Sequence, residues 1–191
     1  MMKNKPVHLL FFLGLLIPHL SYAVDATNYA HREQHIGHWT LIEFFISERV
    51  VYRLSADSIN EKNLNIVFDL VPSKDCISSP AIMVLKLKSY ANKSKEGVVI
   101  MEYKLPTQTE ATPELVKTVI SEGDEFEFLE FSKLTAKTLL LDNGNLAIWV
   151  PASGDGDVKR SENMYFPLDG FSIAYKEAKR LCDDKKGLLT K

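Results

Sequence analysis

The stretch His31-Arg32-Glu33-Gln34-His35-Ile36-Gly37-His38 brings three imidazoles together at spacings of four and three. On a helix those positions share one face, where imidazoles can meet a single Zn²⁺ or Cu²⁺. His31, His35 and His38 are therefore the candidate metal ligands of the chain. A stable zinc centre also needs a fourth ligand or a water, and hydrogen bonds that fix the rings. Glu33 would fall on the opposite side of such a helix, and Gly37 would weaken its last turn. The competing reading is a solvated linker, and the sequence leans that way.

Other chemistry is thinner. Ser153-Gly154-Asp155-Gly156-Asp157 offers oxygen ligands, but Lys159 stands where a calcium loop needs its third one. No Gly-x-Ser-x-Gly elbow and no phosphate-cradling glycine loop is present. A Ser–His–Asp triad would need the His31–His38 segment to fold back into a pocket. Glu125, Glu127 and Glu130 read as the wet side of a strand. An acid–base pair has no spacing signature, so a hydrolase on a β-scaffold stays open as an alternative. No cofactor is implied. Trp149 reads as core by its apolar neighbours, or as an anchor for a partner.

The N-terminus speaks to location. Lys3 and Lys5 precede an apolar run from Val7 to about Leu20, and Ser21-Tyr22-Ala23 fits the small-x-small cleavage rule. His8, Pro18 and His19 interrupt the run, which falls short of the roughly 20 apolar residues of a membrane anchor. Residues 1–23 are expected to be a signal peptide, 24–38 an N-terminal linker, 39–182 a β-rich domain and 183–191 a flexible tail. No later stretch is long and apolar enough to span a membrane. Cleavage takes the net charge from −2 to −4, with no basic patch to suggest nucleic acid. The remaining 168 residues or so make one ordinary domain. The expected location is the periplasm or the medium. In that oxidising space Cys76 and Cys182, the two cysteines of the chain, are predicted to bridge. Two buried thiols are the alternative. A loop of that size is worth about 4–5 kcal/mol in the chain-entropy account.

The elements that must position these groups are mostly strands. "HWTLIEFFI" and "RVVYRLSA" are rich in β-branched and aromatic residues. "LNIVFDLV" alternates, with Leu64, Ile66, Phe68 and Leu70 on one face and Asn65, Val67 and Asp69 on the other. "AIMVLKLKSY" sets Ala81, Met83, Leu85 and Leu87 against Lys86 and Lys88. "VVIMEYKL" returns after a polar hairpin loop, and "DEFEFLEF" alternates again. "PELVKTVIS" is ambiguous: its proline and glutamate favour a short helix, its Val116, Thr118 and Ile120 a strand. Asn143-Gly144 between two apolar runs predicts a tight hairpin. "NMYFPL" reads as a last strand near an edge. Phe171, Ala174, Tyr175, Ala178, Leu181 and Cys182 recur at helical spacing after Asp169, a plausible N-cap. Eight or nine strands and one terminal helix predict a mostly-β single domain, a sandwich or a distorted barrel with a C-terminal α-helix.

Two ends of this pattern resemble a known family. Gly37-x-Trp39 followed by Tyr52, Leu54 and Ser55, and then Tyr165, Leu168, Gly170, Phe171, Ala174 and Cys182, are similar to exported bacterial proteins of the invasion-associated locus B type. The resemblance covers about a quarter of the chain. It implies a small periplasmic or secreted β-sandwich and, in some members, a link to host-cell interaction, with no catalytic residues to carry over. The function expected from the whole reading is an exported, non-enzymatic binding or accessory module whose partner is an envelope or host protein. A hydrolase, or a periplasmic metal binder using His31, His35 and His38, is the alternative. The sequence leaves the oligomeric state open.

Overall fold

The computed structural model describes residues 30–46, 49–86, 97–120, 126–152 and 160–189. The signal peptide expected at 1–23, the Asp155–Asp157 loop, Glu125 and the Leu87–Lys88 strand end lie outside the described residues.

Strands β1 (Ala30–Ile36), β2 (Trp39–Ile46), β3 (Arg49–Asp57), β4 (Leu64–Leu70) and β5 (Pro80–Lys86) form an antiparallel meander. Strands β6 (Gly97–Lys104), β7 (Thr112–Ile120), β8 (Phe126–Thr135), β9 (Asn145–Trp149) and β10 (Met164–Pro167) extend it. The sheet order is β1-β2-β3-β4-β5-β8-β7-β6-β9-β10, antiparallel at every step. Because β8 returns to pair with β5, strands β5 to β8 make a Greek-key arrangement. The sheet does not close into a barrel. It curls until Ile59, just after β3, donates its amide to the Tyr165 carbonyl of β10 (2.8 Å). A one-turn helix α1 (Ala136–Leu139) and the long helix α2 (Phe171–Leu189) complete the described chain. The mostly-β expectation with one closing helix holds, as a single curled sheet around a single core.

Alternation sets the faces. Leu64, Ile66, Phe68 and Leu70 of β4 are buried on the inner side, as their period-2 spacing requires. Val67 is buried too, so the outer side of this strand is drier than alternation alone suggests. Arg53 and Asp69 face each other across β3 and β4 on that outer side, joined by two 2.7 Å hydrogen bonds, with the guanidinium 5.0 Å from the Phe44 ring. Helix α2 covers the inner side of β1 to β4 through Phe171, Ala174, Ala178 and Cys182, all fully buried, and the half-buried Tyr175 and Leu181. These are the positions its helical spacing marks.

The two family-like segments meet at one corner. Gly37 sits in the β1–β2 turn at φ +61°, and Gly170 precedes α2 at φ +83°. Their backbones touch: a methyl group at Gly170 would stand 2.4 Å from the Ile36 carbonyl oxygen and 3.0 Å from Gly37 Cα. Glycine is required there twice over, by the left-handed φ and by the approach. Beside it the buried Trp39 indole donates to the Pro167 carbonyl (3.0 Å) and packs 4.7 Å from the Phe171 ring.

The predicted bridge is present. Cys76 and Cys182 are bonded with Cα atoms 5.8 Å apart, tying the β4–β5 loop to α2. Asp75 and Cys76 both lie in the left-handed region (φ +56° and +53°). Lys186 of α2 adds a 2.5 Å contact to Asp75 and holds that carboxyl below its ordinary range, first by hydrogen bonding and then by charge.

Several expectations change. The segment 24–38, taken as a linker, contains β1: a wet edge strand whose polar residues give no alternation signal. The tail at 183–191 is helical as far as Leu189, supported by the Lys179–Asp183 and Arg180–Asp184 pairs one turn apart. "PELVKTVIS" is strand β7. Its Glu114 is nearly fully buried, and its carboxylate accepts the amides of Ser132, Lys133 and Leu134 and the Ser132 hydroxyl. Those amides belong to an irregular stretch where β8 carries extra residues against β5, so the carboxylate replaces ladder partners. The Asn143-Gly144 hairpin does not form. The run before it is helix α1 and a turn, because Ala136 and Leu139 reach the core from a helical turn. The Thr135 amide donates to Thr138 Oγ1 (3.0 Å) and starts that turn. Gly144 has the left-handed φ (+100°), but β9 pairs with β6 and β10 instead.

Candidate functional site

Strand pairing brings Lys104 of β6, Ala147 of β9 and Tyr165 of β10 into one row across the sheet. Trp149 lies two positions further along β9, opposite Glu102. Together with Pro106, Gln108, Asn145, Arg160 and Asn163 this surface lines an open groove of about 550 Å³. That volume lies within the range of small-molecule sites, roughly 300–1,000 Å³.

Local structure fixes each wall. Ser161 exchanges two hydrogen bonds with Val150: its amide donates to the Val150 carbonyl (2.9 Å), and Val150 donates to its hydroxyl (2.8 Å). The chain therefore re-enters the sheet at a set point, and Arg160 comes to lie 4.7 Å over the Trp149 ring. Arg160 Nη2 also donates to Asn163 Oδ1 (2.9 Å), and Asn163 Nδ2 donates to the Tyr165 hydroxyl (3.0 Å). Asn60, from the loop after β3, binds the same strand on its outer edge: its Nδ2 donates to the Asn163 carbonyl (2.7 Å) and its Oδ1 accepts the Tyr165 amide (3.0 Å). Gln108 is held by the Leu105 amide, which donates to its Oε1 (3.1 Å). The loop carrying it is pinned by Thr107, whose amide and hydroxyl both donate to the buried Asp142 carboxylate (3.2 and 2.5 Å).

The chemistry of this lining is recognition by donors. Arg160 keeps most of its five N–H groups for a ligand, in a planar fork stacked on an indole. Lys104 adds a point charge, and the side chains of Gln108, Asn145 and Asn163 add planar amides. Both charged residues of the lining are cations, in a chain whose overall balance is slightly negative.

The candidate metal ligands lie elsewhere. His31 and His35 are on β1 and His38 follows the β1–β2 turn, so the helix that would align all three is absent. His31 packs edge-on against Phe45 (5.8 Å). His35 Nε2 is 3.2 Å from Glu33 and its Nδ1 is 3.0 Å from Thr40 Oγ1. Among the described residues no group of three or more His, Cys, Asp or Glu side chains is placed to hold a metal. Glu127 and Glu130 of the β8 run are half-buried, and Glu130 sits across from Lys117. Trp149 is buried, as the core reading of its apolar neighbours expects. It is 6% exposed, yet it lies outside the main core, sealed by Arg160 at the groove. The groove itself escapes sequence reasoning because it depends on β9 pairing with β6, more than forty positions away. The one local signal was a tryptophan followed by a polar loop and an arginine.

Among the described residues no helix is long and apolar enough to cross a membrane. No protein-family model and no curated protein matches the chain. Its fold is similar to the crystal structure of invasion associated protein B from Bartonella henselae, with a TM-score of 0.51 and 13% identity over 80% of this chain and 98% of that one. The resemblance read from Gly37-x-Trp39 and Leu168-x-Gly170-Phe171 is thereby borne out at the level of fold.

Proposed function

We propose that this chain is an exported, non-enzymatic binding or accessory module that works in the cell envelope or at a host-cell surface, with the β6–β9–β10 groove as its binding face. One observation carries the reading: Arg160 is stacked on Trp149 and hydrogen-bonded to Asn163, so its donors are held in place before any ligand arrives. Preorganised donors gain affinity by lowering the ordering cost of binding. The disulfide and the leader-like residues 1–23 support export, and the fold likeness to an invasion associated protein supports an accessory role.

The test compares wild type with a Lys104→Gln, Arg160→Gln double variant for retention on isolated envelope fractions and on host-cell surfaces. Arg160 is exposed and Lys104 only half-buried, and neither belongs to the core, so the variant should fold. Retention of the wild type and loss of the variant is the expected result. Equal retention of both, or of neither, refutes the groove as the binding face. Mass spectrometry of the exported protein should find a chain starting near Val24 with its cysteines oxidised. A full-length cell-associated chain with free thiols contradicts export.

A further inference from the structure

Resting on the reading of the groove as a binding face, we infer that its ligand is an acidic saccharide, a sugar chain carrying carboxylate or phosphate groups. Three features lead there. First, the two charged side chains of the lining, Lys104 and Arg160, are both cationic, and among the described residues neither meets a carboxylate. Arg160 instead spends its contacts on an indole face and an amide oxygen, which leaves N–H pairs free for bidentate capture of an oxyanion. Second, the cations are separated. Lys104 stands in the row of Ala147, and Arg160 stands over Trp149, two residues further along β9, a step of about 6.6–6.8 Å. A single small anion does not fill a groove of about 550 Å³ or engage both ends of it. A chain of rings with repeated charge does. Third, the rest of the lining includes Gln108, Asn145 and Tyr165, whose polar groups offer both donors and acceptors, the match for sugar hydroxyls.

An acidic peptide is the competing polyanion, and the geometry disfavours it. Peptides that lie along a sheet gain most of their affinity by adding a strand to a free edge. The outer edge of β10 is already taken by the Ile59 amide and the Asn60 side chain. The groove opens on the sheet's face, where no backbone ladder is available.

The chain supplies its own reporter. It has two tryptophans, Trp39 in the core and Trp149 under Arg160, so a ligand that draws the guanidinium toward an oxyanion changes the emission of one of them. The experiment titrates full-length protein with an oligo-hexuronate, a phosphorylated oligosaccharide, a neutral oligosaccharide of equal length, inorganic phosphate and a poly-glutamate peptide, following tryptophan emission and calorimetric heat. The uronate or the phosphorylated sugar should bind at least tenfold more tightly than the neutral sugar, phosphate or peptide. Binding should weaken with salt and fall at least tenfold in Arg160→Gln and in Lys104→Gln. Unchanged melting temperatures show that the variants are folded. Tightest binding of the neutral sugar or of the peptide, lost in the same variants, overturns the acidic-saccharide assignment and leaves the binding face standing. Binding of an acidic saccharide that both variants retain overturns the site. Silence from every probe, in a protein whose envelope retention still depends on Lys104 and Arg160, overturns the ligand class alone.

Discussion

Reducing the Cys76–Cys182 bond should destabilise the protein by much less than its loop length suggests, and the reason lies in the loop it holds. The bond closes a separation of 106 residues. The chain-entropy account assigns about 4.7 kcal/mol to a loop of that length. Against this stand Asp75 and Cys76, consecutive non-glycine residues at φ +56° and +53°. Each left-handed residue costs about 1–2 kcal/mol, and releasing the loop recovers that cost. The net loss is then about 1–3 kcal/mol. For a domain of this size each kcal/mol shifts the melting temperature by roughly 2–4 °C, so reduction should lower it by roughly 2–12 °C. Calorimetry with and without reductant, and a Cys76→Ala, Cys182→Ala variant in parallel, measure the shift. Hydrogen exchange locates it: α2 and the β4–β5 loop should lose protection before the strands do, because the bond is local to them. A drop well beyond 15 °C would show that the loop strain offsets nothing. No shift at all, or protection lost evenly over the sheet, would refute the idea that the bond acts by stapling the helix.

Gly170→Ala should cost roughly 2–5 kcal/mol, from the left-handed φ and from a methyl forced against the Ile36 carbonyl. Gly187→Ala, where nothing lies within 4 Å of the new methyl, should be neutral or stabilising by up to about 1 kcal/mol; chemical denaturation of the pair checks the contrast. Glu114→Gln should cost about 3 kcal/mol in the same assay, because the amide cannot accept from three backbone N–H groups and a hydroxyl as the carboxylate does; an unchanged midpoint would mean that those donors find water. Burial, and then the Glu43 carboxylate, push the Tyr52 phenol from 10 up to about 12. The folded state therefore keeps a proton that the unfolded state releases. The stability it contributes is full below pH 10 and is lost as pH rises toward 12, about 2–3 kcal/mol in all. Denaturation midpoints measured from pH 9 to 12 should fall in wild type and fall less in Tyr52→Phe; parallel curves would remove Tyr52 as the cause.

Where one local rule decided the structure, the sequence was legible. The inner face of β4, the buried stripe of α2 and the disulfide follow from a period of two, a period near 3.6 and a cysteine pair. Where two influences competed, it was not. Asn143-Gly144 has the chemistry of a hairpin turn, but the start of α1 at Thr135 and the core positions of Ala136 and Leu139 prevailed over it. The strand at Ala30–Ile36 was hidden because an edge strand wet on most positions has no hydrophobic rhythm to read. The histidines in it looked like a helical ligand set only while the backbone was unknown. The groove was least legible of all, since its walls come from three strands and two loops brought together by the long-range pairing of β9 with β6. Glu114 was similarly silent, because a buried carboxylate and a solvated one look alike in a string of letters.

The corner formed by Gly37, Trp39, Pro167 and Gly170 also bears on when folding can finish. Trp39 and the carbonyl that receives its indole proton are 128 residues apart, and α2, which covers the β1–β4 side of the core, is the last described element. A growing chain can pair its early strands locally, yet Trp39, Leu54 and Phe68 stay uncovered until the final helix arrives. Contacts this distant in sequence are slow to form and are made late. The inner face of β1 to β4 is thus the last part of the core to be covered. A chain truncated after Leu168 should remain protease-sensitive, and supplying residues 169–191 as a separate peptide should restore resistance only at high concentration. A truncated chain that resists protease as well as the full one would show that the sheet locks without its last turn.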